Sequence, residues 1–207
     1  NRSIYYYSLS ADQKYPKAQY KLGLLYEEGK YLKKDLNKMF DYYLHAADQN
    51  YSKAQFYLGF MYLYGKYVKK DINKSIHYFT LAANQSHVKS QYYLGLIYYT
   101  GEHISRDIDR SIHYLTLAAN QNDSESQYIL GVIYETGKYT NKDINKSIYY
   151  YSLAASQNHI KSQFELGLIF YEGKYATRDV NKAIYYYTLA ANQKCVEAQF
   201  NLGLIYY

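Results

Sequence analysis

Apolar residues along the chain keep a helical period that is interrupted at regular intervals. Between Pro16 and Glu28 the apolar positions are Ala18, Leu22, Leu25 and Tyr26, an i, i+4, i+7, i+8 stripe that predicts a helix with one buried face. Between Leu36 and Gln49 the stripe is Leu36, Phe40, Tyr43 and Ala47, which predicts a second helix. These are named helix A and helix B. The same pair recurs along the whole chain. Leu-Gly stands at Leu22-Gly23, Leu58-Gly59, Leu94-Gly95, Leu130-Gly131, Leu166-Gly167 and Leu202-Gly203, each 36 residues after the last. Gly29, Asp35 and the pair Ala46-Ala47 recur in the same register, without insertions. A position number, such as position 21, denotes a first-repeat residue and its equivalents every 36 residues.

Each recurring residue has a local physical reason. Gly29, Gly65, Gly101, Gly137 and Gly173 end helix A, where positive φ costs glycine nothing. Asp35, Asp71, Asp107, Asp143 and Asp179 precede helix B and can accept from its free N–H groups. Asn50, Asn122 and Asn158 follow helix B and suit a left-handed stop. Gly23 and its equivalents lie mid-helix, where glycine costs about 1 kcal/mol against alanine. Six-fold repetition of that cost predicts a close approach of two helix backbones, with the paired alanines serving helix B in the same way. A single helix pair cannot bury its stripes, so neighbouring pairs must stack.

The composition agrees with a folded chain: 48% hydrophobic and 20% charged residues leave enough apolar surface for a core. Only Pro16 could interrupt a helix, and it sits at a helix start. No apolar run is long enough to span a membrane. One cysteine, Cys195, excludes an intrachain disulfide framework and points to a reducing, cytoplasmic setting. The 33 tyrosines, with no tryptophan, recur mostly at fixed positions, which predicts packing. Five Asn-x-Ser sequons, at Asn1, Asn73, Asn84, Asn122 and Asn145, reflect an Asn- and Ser-rich repeat more readily than glycosylation.

Leu-Gly-x-x-Tyr, Gly, Asp and Ala-Ala at a 36-residue period resemble the Sel-one-like repeat, a relative of the tetratricopeptide repeat. The resemblance covers the whole chain. Three departures stand out. Gln19, Gln55, Gln91, Gln127, Gln163 and Gln199 occupy the place of the tetratricopeptide tryptophan. Tyr31, Tyr67, His103, Tyr139 and Tyr175 replace a second loop glycine. Tyr42, Tyr78, Tyr114, Tyr150 and Tyr186 replace a helix B tryptophan. The resemblance implies an all-α, right-handed α/α superhelix of antiparallel helix pairs, used as an adaptor or scaffold. It also implies an alternative, a regulatory module of a larger signalling protein such as a kinase. Cysteine-rich members of the family carry a disulfide in each repeat, and Cys195 alone sets this chain apart from them.

No motif for catalysis, metal or cofactor binding is present: there is no phosphate loop, His-Glu-x-x-His, Cys-x-x-Cys or Gly-x-Ser-x-Gly. No enzyme activity, cofactor or metal is therefore expected. His77 and His113 read as exposed polar residues, and Cys195 as an incidental thiol in the inter-repeat turn. Charge is distributed unevenly. The five A–B loop windows (30–38, 66–74, 102–110, 138–146, 174–182) hold 16 of the 24 Lys and Arg and 7 of the 18 acids, a balance of +9, against 8 basic and 11 acidic residues elsewhere. Stacking predicts a basic edge whose exposed members are Lys33, Lys34, Lys69, Lys70, Lys142 and Arg178, suited to an acidic surface. A solvated loop edge explains the same pattern. Nucleic acid is not the favoured partner, because no base-stacking platform is identifiable.

The strongest candidate site is a second stripe on helix A, opposite its core stripe. Position 21 reads Lys21, Tyr57, Tyr93, Ile129, Glu165, Asn201, and position 28 reads Glu28, Tyr64, Thr100, Thr136, Glu172. Packing does not dictate residues that vary so much between copies. The resemblance places helix A on the concave surface, where exposed tyrosines provide large contact area at low entropy cost; simple solvent exposure explains the same variation. The expected partners are other proteins or peptides. The chain is read as one solenoid over 1–207 of about six helix pairs. It starts inside a helix B and stops inside a helix A, which leads us to expect a piece of a longer array with partly bare terminal stripes, Ile4, Tyr7 and Ala11 at one end and Leu202, Ile205 and Tyr206 at the other.

Overall fold

A computed structural model describes residues 2–173 and 176–207. Among these residues there are helices and no strands, with α1 Arg2–Asp12, α2 Pro16–Glu28, α3 Leu36–Asp48, α4 Ser52–Tyr64, α5 Ile72–Ala83 and α6 Val88–Thr100 followed by α7 Ile108–Ala119, α8 Ser124–Thr136, α9 Ile144–Ser156, α10 Ile160–Glu172, α11 Val180–Asn192 and α12 Val196–Tyr206. Even-numbered helices are the A helices and odd-numbered ones the B helices. The chain forms two compact units, Asn1–Arg106 and Asp107–Tyr207. Within each unit every helix packs on the next one in sequence. The connections are short, so neighbours are antiparallel.

The predicted punctuation is where it was expected. Gly29, Gly65, Gly101, Gly137 and Gly173 close the A helices at φ between 59° and 69°. Each position 35 aspartate caps its B helix; Asp71 Oδ1, for example, accepts from the Lys74 N–H at 3.0 Å. Asn50, Asn122 and Asn158 are left-handed at φ 60°, 63° and 62°, and so are Lys14, Ser86 and Lys194 at the same position. Tyr67 retains a left-handed φ of 69° where the family has its second glycine. Tyr31, His103 and Tyr139 do not, and Tyr175 lies outside the described residues.

The mid-helix glycines need one correction. What fills the space at Gly23 is the ring of Tyr43, not a helix backbone: a Cβ there would sit 2.7 Å from the ring. Phe79 fills the same space at Gly59, Tyr151 at Gly131 and Tyr187 at Gly167. The glycine thus makes a socket for the largest buried side chain of the helix B that follows it. Further along each pair, the tyrosine in the helix B tryptophan position stacks on helix A. Tyr42 on Tyr26, Tyr78 on Tyr62, Tyr150 on Tyr134 and Tyr186 on Phe170 lie at 5.8–5.9 Å with interplanar angles of 12° or less.

Five of the glutamines in the tetratricopeptide tryptophan position, Gln19, Gln55, Gln91, Gln127 and Gln163, are buried and build a polar spine that the sequence did not announce; Gln199 is exposed. Gln55 Nε2 donates to the Ala47 carbonyl at 3.1 Å, and Gln85 Nε2 donates to Gln55 Oε1 at 2.7 Å. Gln127 and Gln163 repeat the arrangement with Ala119 and Gln157, and with Ala155 and Gln193. Gln19, Gln55, Gln127 and Gln163 are each satisfied by the preceding helix B on one side and by the end of their own repeat's helix B on the other. Within each unit the spine therefore ties successive repeats together and pairs these buried amides.

Candidate functional site

The helix A face is where residue identity varies on a constant frame. Position 28 projects as predicted: Glu28, Tyr64, Thr100, Thr136 and Glu172 are all exposed, Tyr64 by 58%. Position 21 does not stand clear of the core. Lys21 is exposed, but Tyr57, Tyr93, Ile129 and Glu165 are half-buried. The reason is geometric. Position 21 of one helix A lies over the position 43 residue of the preceding helix B, so it forms the outer layer of the core as well as part of the surface. Tyr57 stacks on Tyr43 at 5.5 Å, and Tyr93 stacks on Phe79 at 5.3 Å with an interplanar angle of 10°.

In the first unit this face is aromatic. Tyr64 packs against Phe60 at 4.6 Å, and Phe60 against Tyr93 at 5.9 Å. Beneath them the Tyr43 hydroxyl donates to Glu27 Oε2 at 3.1 Å, and Lys66 Nζ pairs with Glu27 Oε1 at 3.2 Å. Burial raises the Tyr43 phenol well above its ordinary range, and the Glu27 carboxylate raises it further.

In the second unit the face is acidic. The Tyr151 hydroxyl donates to Glu135 Oε2 at 2.7 Å. Glu165 holds the place that Tyr57 holds in the first unit. Burial pushes its carboxyl up to about 7, and the Glu135 carboxylate contributes in the same direction. Glu165 also lines an open cleft with Tyr128, Phe164, Ile160 and Val196.

The predicted basic edge is only partly free. Lys33 and Lys69 are exposed, and Lys34 lies over the Tyr67 ring at 6.0 Å. Lys70 Nζ lies 2.6 Å from His103 Nε2. Arg178 Nε donates to the Tyr171 carbonyl at 3.1 Å, and Arg106 Nε donates to the Tyr99 carbonyl at 2.8 Å, so these guanidiniums satisfy the end of helix A. Lys142 is exposed and also engaged.

The inter-repeat turn holds caps that sequence reasoning missed. His87 Nδ1 accepts from the Ser90 N–H at 3.3 Å, His159 Nδ1 accepts from Ser162 at 3.2 Å, and Asp123 Oδ1 accepts from Ser126 at 2.9 Å. Burial lowers both histidines, which keeps the accepting nitrogen neutral. A Ser three residues after His or Asp was the available signal. Cys195 takes the same turn as a free, half-buried thiol without a side-chain cap. His77 and His113 are exposed. Among the described residues, no group of three or more His, Cys, Asp and Glu could hold a metal ion.

The Sel1 repeat model matches residues 1–15, 16–51, 52–87, 88–123, 124–159, 160–195 and 196–207, which together are the entire chain. The chain belongs to the Sel1 repeat family. Sel1 repeats are a non-catalytic scaffold that generally mediates protein–protein interaction. The chain is similar to a protective antigen of uropathogenic Escherichia coli strains that displays an SLR fold, at 28% identity and a TM-score of 0.90 over 98% of this chain. It spans 44% of that protein's length. A Sel1 repeat protein from Oxalobacter formigenes is 36% identical with a TM-score of 0.78, over 92% of this chain and 78% of that one. Helicobacter pylori cysteine-rich protein B is 28% identical with a TM-score of 0.50, over 65% of this chain and 96% of that one. No curated protein sequence matches the chain. No described helix is long and apolar enough to cross a membrane.

Proposed function

We propose that this Sel1 array is a protein-interaction scaffold that holds its partners on the helix A face of each unit. The observation that carries this reading is the contrast between frame and face. The glycine sockets, stacked tyrosines and glutamine spine repeat almost unchanged, whereas position 21 runs Lys, Tyr, Tyr, Ile, Glu and position 28 runs Glu, Tyr, Thr, Thr, Glu. A surface with only a structural role has no reason to differ so much on one frame. Lys21, Tyr57, Tyr64, Tyr93 and Thr100 would contact partners in the first unit, and Ile129, Thr136 and Glu165 in the second. A reducing, cytoplasmic setting fits the single unpaired Cys195.

The alternative surface, the basic edge, is less well supported. Two of its five repeats spend an arginine on helix A carbonyls, which leaves Lys33 and Lys69 as its most available charges. A role as a regulatory module in a larger protein is compatible with either surface. The test is partner capture with mass spectrometry, followed by calorimetry against the purified partner. Tyr64→Ser with Thr100→Asp is expected to weaken capture about tenfold or more. Lys33→Glu with Lys69→Glu is expected to leave it within about twofold. The reverse pattern would move the interaction to the loop edge.

A further inference from the structure

The basic edge formed by the A–B loops is not uniform. Loops 30–35 and 66–71 both read Lys-Tyr-x-Lys-Lys-Asp, three lysines against one aspartate in each. The third loop opens with Glu102 and His103, and the loops 138–143 and 174–179 hold two basic residues apiece. Positive charge is therefore concentrated in the first unit. Asp35 and Asp71 are half-buried caps whose carboxylates accept from backbone N–H groups of helix B. Glu27 pairs with Lys66, and Glu102 with His103. Lys30, Lys33, Lys34, Lys69 and Lys70 are all exposed.

Contacts join the loops of successive repeats. Lys34 Nζ lies 6.0 Å from the centre of the Tyr67 ring and Lys66 Nζ 4.7 Å from it, so one tyrosine gathers an ammonium group from each loop. Lys30 Nζ lies 5.1 Å from the centre of the Tyr31 ring. Lys70 Nζ reaches His103 of the third loop. Tyr31 is 55% exposed and Tyr67 37%, so neither ring is held by the core. Tyr67 also keeps a left-handed backbone at φ 69°, which glycine would adopt without cost. A strained residue kept in such a place points to a use for its side chain.

The type of charge and the setting of the rings decide the partner. All six basic groups of the two loops are lysines, compact charges on long stems that lack the guanidinium fork for gripping a single carboxylate or phosphate. They suit many anions spread over a surface. The ring faces already lie against ammonium groups, so they are not open platforms for nucleobases. A ring with a polar tip suits the headgroup boundary of a bilayer, and lysine stems can lie along the same boundary. Both loops stand where helix A ends and helix B begins, on one edge of the unit, so their lysines and tyrosines can meet one broad surface together.

We infer that the loop edge of the first unit binds the anionic phospholipid surface of a membrane, with the lysines of both loops at headgroup phosphates and Tyr31 and Tyr67 seated among the headgroups. Such attachment is peripheral and needs no spanning helix. It uses a different surface from the helix A face and stands independently of that reading.

The test is co-sedimentation of the full chain with vesicles of phosphatidylcholine alone and of phosphatidylcholine with about one-third phosphatidylserine. Binding is expected to the anionic vesicles only, and should weaken by about tenfold or more as salt rises from about 50 to about 200 mM. Lys33→Glu with Lys69→Glu should weaken it by about tenfold or more at the lower salt, and Lys138→Glu with Lys142→Glu in the second unit by less than about threefold. Tyr67→Gly should weaken it by about threefold while making the fold more stable, because the ring and the backbone strain are removed together. Tyr64→Ser with Thr100→Asp should leave vesicle binding unchanged, which separates this surface from the one that captures protein partners. Equal binding to phosphatidylcholine alone, no binding at low salt, equal losses from the two lysine pairs, or a Tyr67→Gly chain that binds like the parent would overturn the assignment. If vesicles are not bound while a single-stranded oligonucleotide or a polyglutamate peptide binds through Lys33 and Lys69, the edge serves another anion and the lipid assignment falls.

Discussion

Tyr57 and Glu165 occupy the same repeat position three repeats apart, and their surroundings show how one frame carries two chemistries. Under Tyr57, the Tyr43 ring is stacked and its hydroxyl donates to Glu27, which Lys66 neutralises. Under Glu165, the Tyr151 hydroxyl makes the equivalent bond to Glu135, but the stacking ring has been exchanged for a second carboxylate. The first arrangement buries aromatic surface and balances its charge. The second gathers like charge in a half-dry place, which raises the Glu165 carboxyl to about 7. A residue that only had to cover the core would be aromatic or aliphatic in both units. Glu165 gives up that packing, and residues that sacrifice local stability mark sites of function more often than sites of structure.

The frame itself should respond alike in both units, and with the largest effect. Gly59→Val and Gly167→Val each place a side chain into a socket already filled by Phe79 or Tyr187. Each should lower stability by about 1–3 kcal/mol through overpacking, read from urea denaturation midpoints. A loss in one unit and none in the other would mean that the sockets are not equivalent.

Glu165→Gln sharpens the contrast between the faces. The folded-state pKa of Glu165 is raised, so its contribution is unpenalised below the unfolded value of about 4.5 and worsens as pH rises through about 7. Removing the charge should therefore stabilise the chain by about 1–2 kcal/mol near pH 8, a figure discounted for partial exposure, and by progressively less as the pH falls toward about 4.5. Denaturation midpoints of parent and variant across that range decide the point. A pH-independent difference would locate the effect in packing and remove the carboxylate pair from the comparison.

The smallest effect concerns the loops. Tyr67 pays for a left-handed backbone that Tyr31 and Tyr139 at the same position avoid. Tyr67→Gly should stabilise by about 0.5–1 kcal/mol, while Tyr139→Gly should destabilise slightly by freeing the unfolded chain. Thermal melts of the two variants should thus move in opposite directions.

Much of the scaffold was legible in the residues because it is local or periodic. The glycine stops, aspartate caps and apolar stripes act within a turn or two of chain, and five or six copies in register make each one visible. The tyrosines that replace tryptophan were visible as recurring positions, though not as stacks. The histidine caps were missed because their position reads Tyr, His, Asp, His and Cys, so only a three-residue relation to serine links the capping members. The candidate face was recognisable as variation, but its depth was not: position 21 is half-buried because a helix from the preceding repeat lies beneath it.

The chain's residues alone thus determined the period, the order of helices and the places where each begins and ends, since those depend on backbone conformation over a few neighbouring residues. Tertiary structure decided that a ring fills the glycine socket, that glutamines pair across thirty residues, and that the buried Tyr43 and Tyr151 hydroxyls reach Glu27 and Glu135. It also decided that Glu165 meets Glu135. Burial and Coulomb interaction depend on distance through space, and residues on successive A helices come close only when the helices stack.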